Sequence, residues 1–133
     1  MISAPNIQVT AGGNITPFRV VKLSTVADNQ ILISAAATSA NIGIAQGGTR
    51  RAPGTGDDDG FAAISGETCM IWGVGCVALG EAGGTVTRGD KVTSDSAGRL
   101  VTTTSTGDVV VGWAMQSAAT NDLIEILVQP FVL

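Results

Sequence analysis

The sequence of 133 residues contains no histidine and no tyrosine. Without histidine the chain has no Ser-His or Cys-His nucleophile pair and no imidazole ligand for a metal ion. It also lacks the most common general base at neutral pH. The remaining carboxylates offer little chemistry, because Glu67 and Glu81 stand at predicted strand ends or turns. We therefore predict no enzymatic activity, no catalytic residue, no metal and no cofactor.

Charge is also scarce. Only 14% of the residues are charged, against about 25% in typical globular chains, while 44% are hydrophobic. Seven basic residues face eleven acidic ones, for a net charge of −4. A mildly acidic chain with scattered cations is poorly suited to wrapping a phosphate backbone, so no nucleic-acid partner is expected. A surface this poor in charge indicates instead that apolar area is buried against other protein subunits.

Long apolar runs are missing too. No stretch reaches the roughly 18 residues that a membrane helix needs, and Pro5, Asn6 and Gln8 interrupt any apolar leader. We expect neither a membrane span nor a signal segment. The two cysteines, Cys69 and Cys76, could face each other across a hairpin, but two buried thiols in a reducing compartment are the simpler interpretation. Without histidine they are too few for a zinc site.

Short apolar or alternating runs rich in Val, Ile and Thr fill the chain, and eighteen glycines punctuate them. No window has a sustained helical period, and the helix-friendly segment 34–40 is too short to be stable alone. The sequence therefore predicts an all-β fold with little or no helix, a small barrel or sandwich. The predicted strands cover residues 7–9, 18–23, 31–34, 42–46, 68–72, 74–79, 90–93, 99–103, 109–115 and 123–128.

The strands fall into two similar halves. "AGGNIT" at 11–16 returns as "AGGTVT" at 82–87, and "IGIA" at 42–45 matches "VGWA" at 111–114. We interpret the repeat, about 7–79 and 77–128, as two similar β-meanders in one domain, 1–133. The second copy links its last two strands through the short segment 116–121, whereas the first uses residues 47–66. A surface insertion of about 47–65 is therefore predicted, besides a C-terminal tail at 129–133.

The insertion concentrates the charge of the chain in Arg50, Arg51, Asp57, Asp58 and Asp59. "GTRRAPGTG" lacks the Lys-Ser/Thr of a phosphate-binding loop. The consecutive aspartates lack the alternating spacing of an EF-hand loop. Weak binding of a cation at the surface by these aspartates is one alternative. Two further interpretations are a contact loop, in which the arginines grip carboxylates of a neighbouring subunit, and a solvated loop tip. We favour contact, because the other half closes without such a loop.

The aromatic residues differ in whether the repeat gives them a counterpart in the other half. Trp113 aligns with Ile44, an apolar position of the other half, and is predicted to pack in the core. Trp72 stands beside Gly73 and is not assigned. Phe61, in the insertion, and Phe131, in the tail, have no counterpart and are predicted interface anchors.

The second half resembles tailed-phage capsid decoration (cement) proteins. The resemblance rests on "VTRGDKVTSD", "GRL", a Thr-rich link, "VVVGWA" and a final apolar strand, all within residues 73–128. Residues 11–46 and 66–79 look like a weaker copy of the family's first half. The insertion and the tail "QPFVL" depart from the family pattern.

The resemblance implies a non-catalytic virion protein, made in the host cytoplasm, that binds the outside of an assembled capsid and stiffens it. Its partners would be the major capsid protein and itself, most simply as a homotrimer. "MISAPN", the insertion and the tail are the expected contact elements. The alternative, a carbohydrate- or receptor-binding β-module of a fibre or tail, would require exposed aromatic residues beside polar ones in a groove.

Overall fold

The computed structural model describes residues 6–45, 47 and 60–133. In this part of the chain all regular structure is β, with ten strands in two five-stranded sheets and no helix that could span a membrane. The predicted all-β fold class is confirmed. The strands are β1 Asn6–Ala11, β2 Val20–Leu23, β3 Gln30–Ile33, β4 Asn41–Ala45, β5 Thr68–Trp72, β6 Val77–Glu81, β7 Lys91–Ser94, β8 Leu100–Thr102, β9 Val109–Ala114 and β10 Leu123–Val132.

The first sheet is a small closed barrel with the order β1-β3-β2-β4-β5. It closes because β1 pairs antiparallel with β5 and parallel with β3, where Ala11 lies opposite Ile31. Alternate side chains of the strands point inward. Val21, Ile31 and Ile71 are thereby fully buried in the interior of the barrel, together with Cys69.

The second sheet has the order β6-β10-β9-β7-β8. When β6–β10 are matched in turn to β1–β5, each strand has the same neighbours in both sheets. The second sheet differs at one place: β6 and β8 meet only in a single parallel bridge, between Ala82 and Leu100. The second sheet is therefore a barrel with a gap beside that bridge.

The two sheets share details of backbone geometry. The Ala11 N–H donates to the Glu67 carbonyl at 2.8 Å, and the Ala82 N–H donates to the Asp122 carbonyl at 2.8 Å. A pair of glycines is matched as well. A Cβ on Gly43 would collide with the Trp72 carbonyl of the next strand, and a Cβ on Gly112 would collide with the carbonyl of Leu127.

The start of β2 fills the gap in the second sheet. The Val20 N–H donates to the Gly98 carbonyl at 2.7 Å, and the Glu81 N–H donates to the Phe18 carbonyl at 3.0 Å. Val20 and Ile44 belong to the hydrophobic core of the second sheet, although their strands belong to the first. One face of the first half is therefore buried in the second half.

The last strand is longer than predicted. We expected it to end at Val128, but β10 continues to Val132 after a bulge between Val128 and Phe131. Beyond the bulge Phe131 lies opposite Val110, because β9 still offers a partner there. Most of the segment predicted as a tail is therefore part of the sheet.

Candidate protein interface on the second sheet

The outer face of the second sheet carries large apolar side chains that are exposed to solvent. Along β10, Ile124 and Ile126 point inward and are at most 2% exposed, while Leu123 and Leu127 point outward and are 46% and 37% exposed. On β6, Val77 and Leu79 are exposed in the same way. We use "outer face" for the outward apolar residues of this sheet: Val77, Leu79, Trp113, Leu123, Leu127 and Phe131.

Strand register makes the outer face continuous. Leu127 lies opposite Val77 on one side and opposite Trp113 on the other. Glu125, the outward residue of β10 that precedes Leu127, lies opposite Leu79. Directly opposite side chains in an antiparallel pair are in contact distance. Contiguous exposed apolar surface of this kind marks sites of protein contact.

Trp113 is the centre of an aromatic cluster on this face. Its ring centroid lies 6.0 Å from that of Phe131, in a stacked arrangement with 28° between the planes. The ammonium of Lys91, opposite Trp113 on β7, lies 5.3 Å from the tryptophan ring centroid. The cluster holds a large amphipathic side chain in a fixed orientation, as is typical of interface anchors.

The prediction that Trp113 packs in the core is wrong. Its counterpart Ile44 is fully buried, because the outward side chains of β2 and β4 in the first half pack into the core of the second half. Trp113 holds the equivalent place on the second half, where it is only half-buried. Trp72, which the sequence left unassigned, lies on the covered face and packs against the core of the second sheet.

Two charges flank the apolar residues. Glu125 on β10 is exposed, and Lys91 on β7 is half-buried over Trp113. Neither takes part in an ion pair with another residue of the described chain, where the ion pairs are Arg19–Glu81 and Arg99–Asp95. Both charges are therefore available to a partner.

A cavity of about 490 Å³ lies beside the outer face. Met115, which follows β9, and Leu123 form an apolar part of its wall, while Arg88 and Asp122 supply opposite charges. Met115 is 48% exposed there. A concave site next to a flat apolar face could receive a projecting side chain of a bound protein.

The structure describes two of the seven residues predicted as contacts. Phe131 is half-buried and belongs to the outer face. Phe61 is half-buried and precedes Ala62, whose N–H donates to the Ile15 carbonyl at 2.7 Å. The charged set of the insertion, Arg50, Arg51, Asp57, Asp58 and Asp59, lies outside the described residues. The role of all seven residues as contacts stays a prediction.

Sequence reasoning missed most of the outer face. The signal was present in "LIEILV" at 123–128, where both alternating sets of side chains are apolar except at Glu125. A strand that is exposed on one face normally alternates apolar with polar residues, whereas one that is covered on both faces does not. The run therefore indicates a second covering layer over β10.

Three acidic residues, Glu67, Glu81 and Asp122, have structural roles. The Glu67 carboxylate accepts a hydrogen bond from the Ile64 N–H at 3.1 Å, and Asp122 accepts one from the Ala119 N–H at 3.0 Å, so both close matched turns. Glu81 pairs with Arg19. Within the described part of the chain, no group of three or more His, Cys, Asp or Glu side chains converges as a metal site would require.

No disulfide joins Cys69 to Cys76. Cys69 lies inside the first barrel, and burial raises the pKa of its thiol because the thiolate would lose its hydration there. Cys76 is half-buried. Burial therefore agrees with the prediction for Cys69 but only in part for Cys76, and the reduced state of both stays a prediction.

Comparisons with known proteins give the fold and the family. A solved structure, the head fiber gp8.5 N base of bacteriophage phi29, matches with a TM-score of 0.59 and 21% sequence identity, over 96% of each chain. No curated protein matches the sequence. A family model described as phage cement protein matches residues 3–130. From this match over nearly its whole length, the chain belongs to the phage cement protein family.

Proposed function

We propose that the protein binds the outer surface of an assembled phage capsid and stabilises the shell by bridging neighbouring major capsid subunits. Membership of the cement protein family makes it a structural, capsid-associated phage protein. The observation that carries the finer proposal is the outer face of the second sheet, since a charge-poor chain exposes contiguous apolar residues there.

The proposed mechanism is mechanical. Each copy would bury apolar area on two capsid subunits and so oppose their separation when packaged DNA presses on the shell. One contact of this size is modest, but a regular lattice repeats it many times. Linked contacts reach an avidity well above that of any single one, which suits a protein without chemistry of its own.

We propose further contacts for the insertion at about 47–65. The end of this segment is fixed to the first sheet, because the Ile15 N–H donates to the Ala63 carbonyl and the Ala62 N–H donates to the Ile15 carbonyl. A loop that leaves a rigid sheet at such a point is well placed to reach a neighbour. Arg50 and Arg51 would pair there with carboxylates of the capsid or of another copy.

The alternative is a carbohydrate- or receptor-binding module of a phage fibre or tail. The aromatic cluster of Trp113 and Phe131 favours it, because sugars stack on exposed aromatic rings. Against it, the Trp113 ring already has Phe131 and the Lys91 ammonium as close neighbours. Trp72 is packed against the core and offers no second platform. We therefore retain capsid binding as the proposal.

Co-sedimentation of purified protein with undecorated heads of its phage tests the proposal. We expect saturable binding in a fixed ratio to the major capsid protein and a higher temperature of capsid disruption. Heads already decorated are the control and should take up none. Absence of binding to undecorated heads, or binding without any gain in heat resistance, would contradict the proposal.

A further inference from the structure

We propose that the open end of the first barrel, called the mouth below, binds branched aliphatic side chains of a major capsid subunit. The proposal rests on capsid binding as the proposed function and adds a second contact surface, which bridging of two subunits requires. A cavity of about 460 Å³ lies at the mouth. None of its lining residues is ionisable and none belongs to the outer face: Val9, Leu23, Asn29, Ile42, Val74 and Pro130.

The mouth is the end of the barrel at which β2 and β5 finish and β3 and β4 begin. Leu23 lies opposite Ile31 there, and Val9 lies opposite Cys69. Both partners are buried in the barrel interior, and directly opposite side chains point to the same face of a sheet. Leu23 and Val9 therefore point inward, yet Leu23 is 46% exposed and Val9 is only half-buried. The barrel thus has room at this end for a further apolar group.

The second half shows what fits at such a place. The repeat aligns Ile42 of the mouth with Val111, which is fully buried. Val111 belongs to one hydrophobic cluster with Val20 and Ile44 of the first half, which lie opposite each other on β2 and β4. The equivalent place is therefore filled by two branched aliphatic side chains on neighbouring strands.

The turns beside the two places match as well. Asn29 at the mouth aligns with Gly98, and both have a positive φ, of 53° and 80°. The Gly98 carbonyl accepts a hydrogen bond from the Val20 N–H at 2.7 Å, so backbone and side chains both join the halves there. The Asn29 carbonyl instead accepts one from the Thr10 N–H at 2.9 Å, within its own barrel. A partner at the mouth would therefore bind through apolar side chains rather than by adding a strand.

Another copy of the chain is poorly suited to the mouth. Its Val20 and Ile44 are buried against its own second half, and the equivalent residues of that half are Lys91 and Trp113. The lysine ammonium would lose its hydration among uncharged lining residues. We therefore assign the mouth to a capsid subunit that presents Val, Ile or Leu side chains from a loop or hairpin.

Binding of variants to undecorated heads, measured by co-sedimentation over a range of concentrations, tests the assignment. We expect Leu23→Glu to weaken binding at least about tenfold, since a carboxylate would be buried in the contact. Val74→Trp should weaken it as well, because the larger ring fills the mouth while keeping it apolar. Thr104→Glu is the matched control, since Thr104 is exposed between β8 and β9 and should bind as the wild type does. Circular dichroism and the melting temperature verify that each variant is folded.

A photo-reactive diazirine analogue of leucine at position 23 identifies the occupant. Irradiation of decorated heads should join this residue to the major capsid protein, at a segment that contains Val, Ile or Leu. A cross-link to another copy of the chain, to residues 1–5 of the same chain or to a small apolar molecule would overturn the inference.

The same binding measurements separate this inference from the proposed function. If the wild type binds and stabilises heads while Leu23→Glu binds equally well, the inference fails and the proposed function stands. Tighter binding by Val74→Trp, or an equal loss for Thr104→Glu, would likewise overturn the inference alone. If the wild type binds no heads, both fail.

Discussion

The guanidinium of Arg19, the residue before β2 of the first sheet, lies 3.0 Å from the carboxylate of Glu81, the last residue of β6 in the second sheet. Arg19 Nη1 also donates a hydrogen bond to the Ala97 carbonyl oxygen at 2.8 Å. Both side chains are about three-quarters buried, with 20% and 26% of their surface exposed. The pair therefore lies at the point where the first half enters the gap of the second.

Replacing Arg19 by alanine should lower the free energy of unfolding by about 1–3 kcal/mol, because a charge-assisted hydrogen bond is lost and Glu81 is left partly desolvated. Urea denaturation measures the change. Arg88→Ala is the control, since that side chain is exposed and should cost no more than about 0.5 kcal/mol. Equal stabilities of the two variants would show that the bridge does not hold the halves together.

Gly43→Ala and Gly112→Ala should each destabilise the protein by about 2–3 kcal/mol or prevent folding, because the added methyl group meets a carbonyl of the neighbouring strand. Thermal unfolding gives the difference. Gly84→Ala provides the comparison, since a Cβ at Gly84 meets nothing within 4 Å. A Gly112→Ala protein as stable as Gly84→Ala would refute the close approach of β9 and β10.

Cys69 should make stability depend on alkaline pH. Its pKa is raised in the folded state, so the folded protein holds the thiol proton to a higher pH than the unfolded chain does. The stabilisation is fully present below the unfolded pKa of about 8.5 and is lost as pH rises through the folded pKa. Urea denaturation between pH 7 and 10 should show a steeper fall for wild type than for Cys69→Ala. Parallel curves would contradict this.

Deleting residues 49–60 should leave the fold intact and weaken association with the capsid or with other copies. The fold should survive because Ile15 still has Ala62 and Ala63 as backbone partners after the deletion. The melting temperature and binding to heads are the two measurements. Unfolding of the variant would show that the segment is structural, and full retention of binding would show that it is a solvated loop.

The sequence was sufficient for the strands and for the matched turns, because both follow from local chemistry. Alternating Val and Ile residues, with glycines between them, predict strands wherever the chain folds. Glu67 and Asp122 align in the repeat, and each carboxylate closes an equivalent turn.

The position of Trp113 could not be predicted in this way. Its alignment with Ile44 gives the same place on the same strand, but burial depends on what lies above that place. The first half has the second as a cover, and an alignment of one half with the other contains no information about their packing. The extent of β10 was missed for a similar reason, since Pro130 suggests an end to the strand while the partner β9 continues.

The closed first barrel limits how many units of this fold can stack along the chain. In this fold the outward face of one unit fits into the gap of the next, which is a head-to-tail contact. Contacts of this kind continue into open fibres unless the units close into a ring. The parallel pairing of β1 with β3 removes the gap from the first unit. It acts as a terminal cap, so that stacking of this kind ends within the chain after two units.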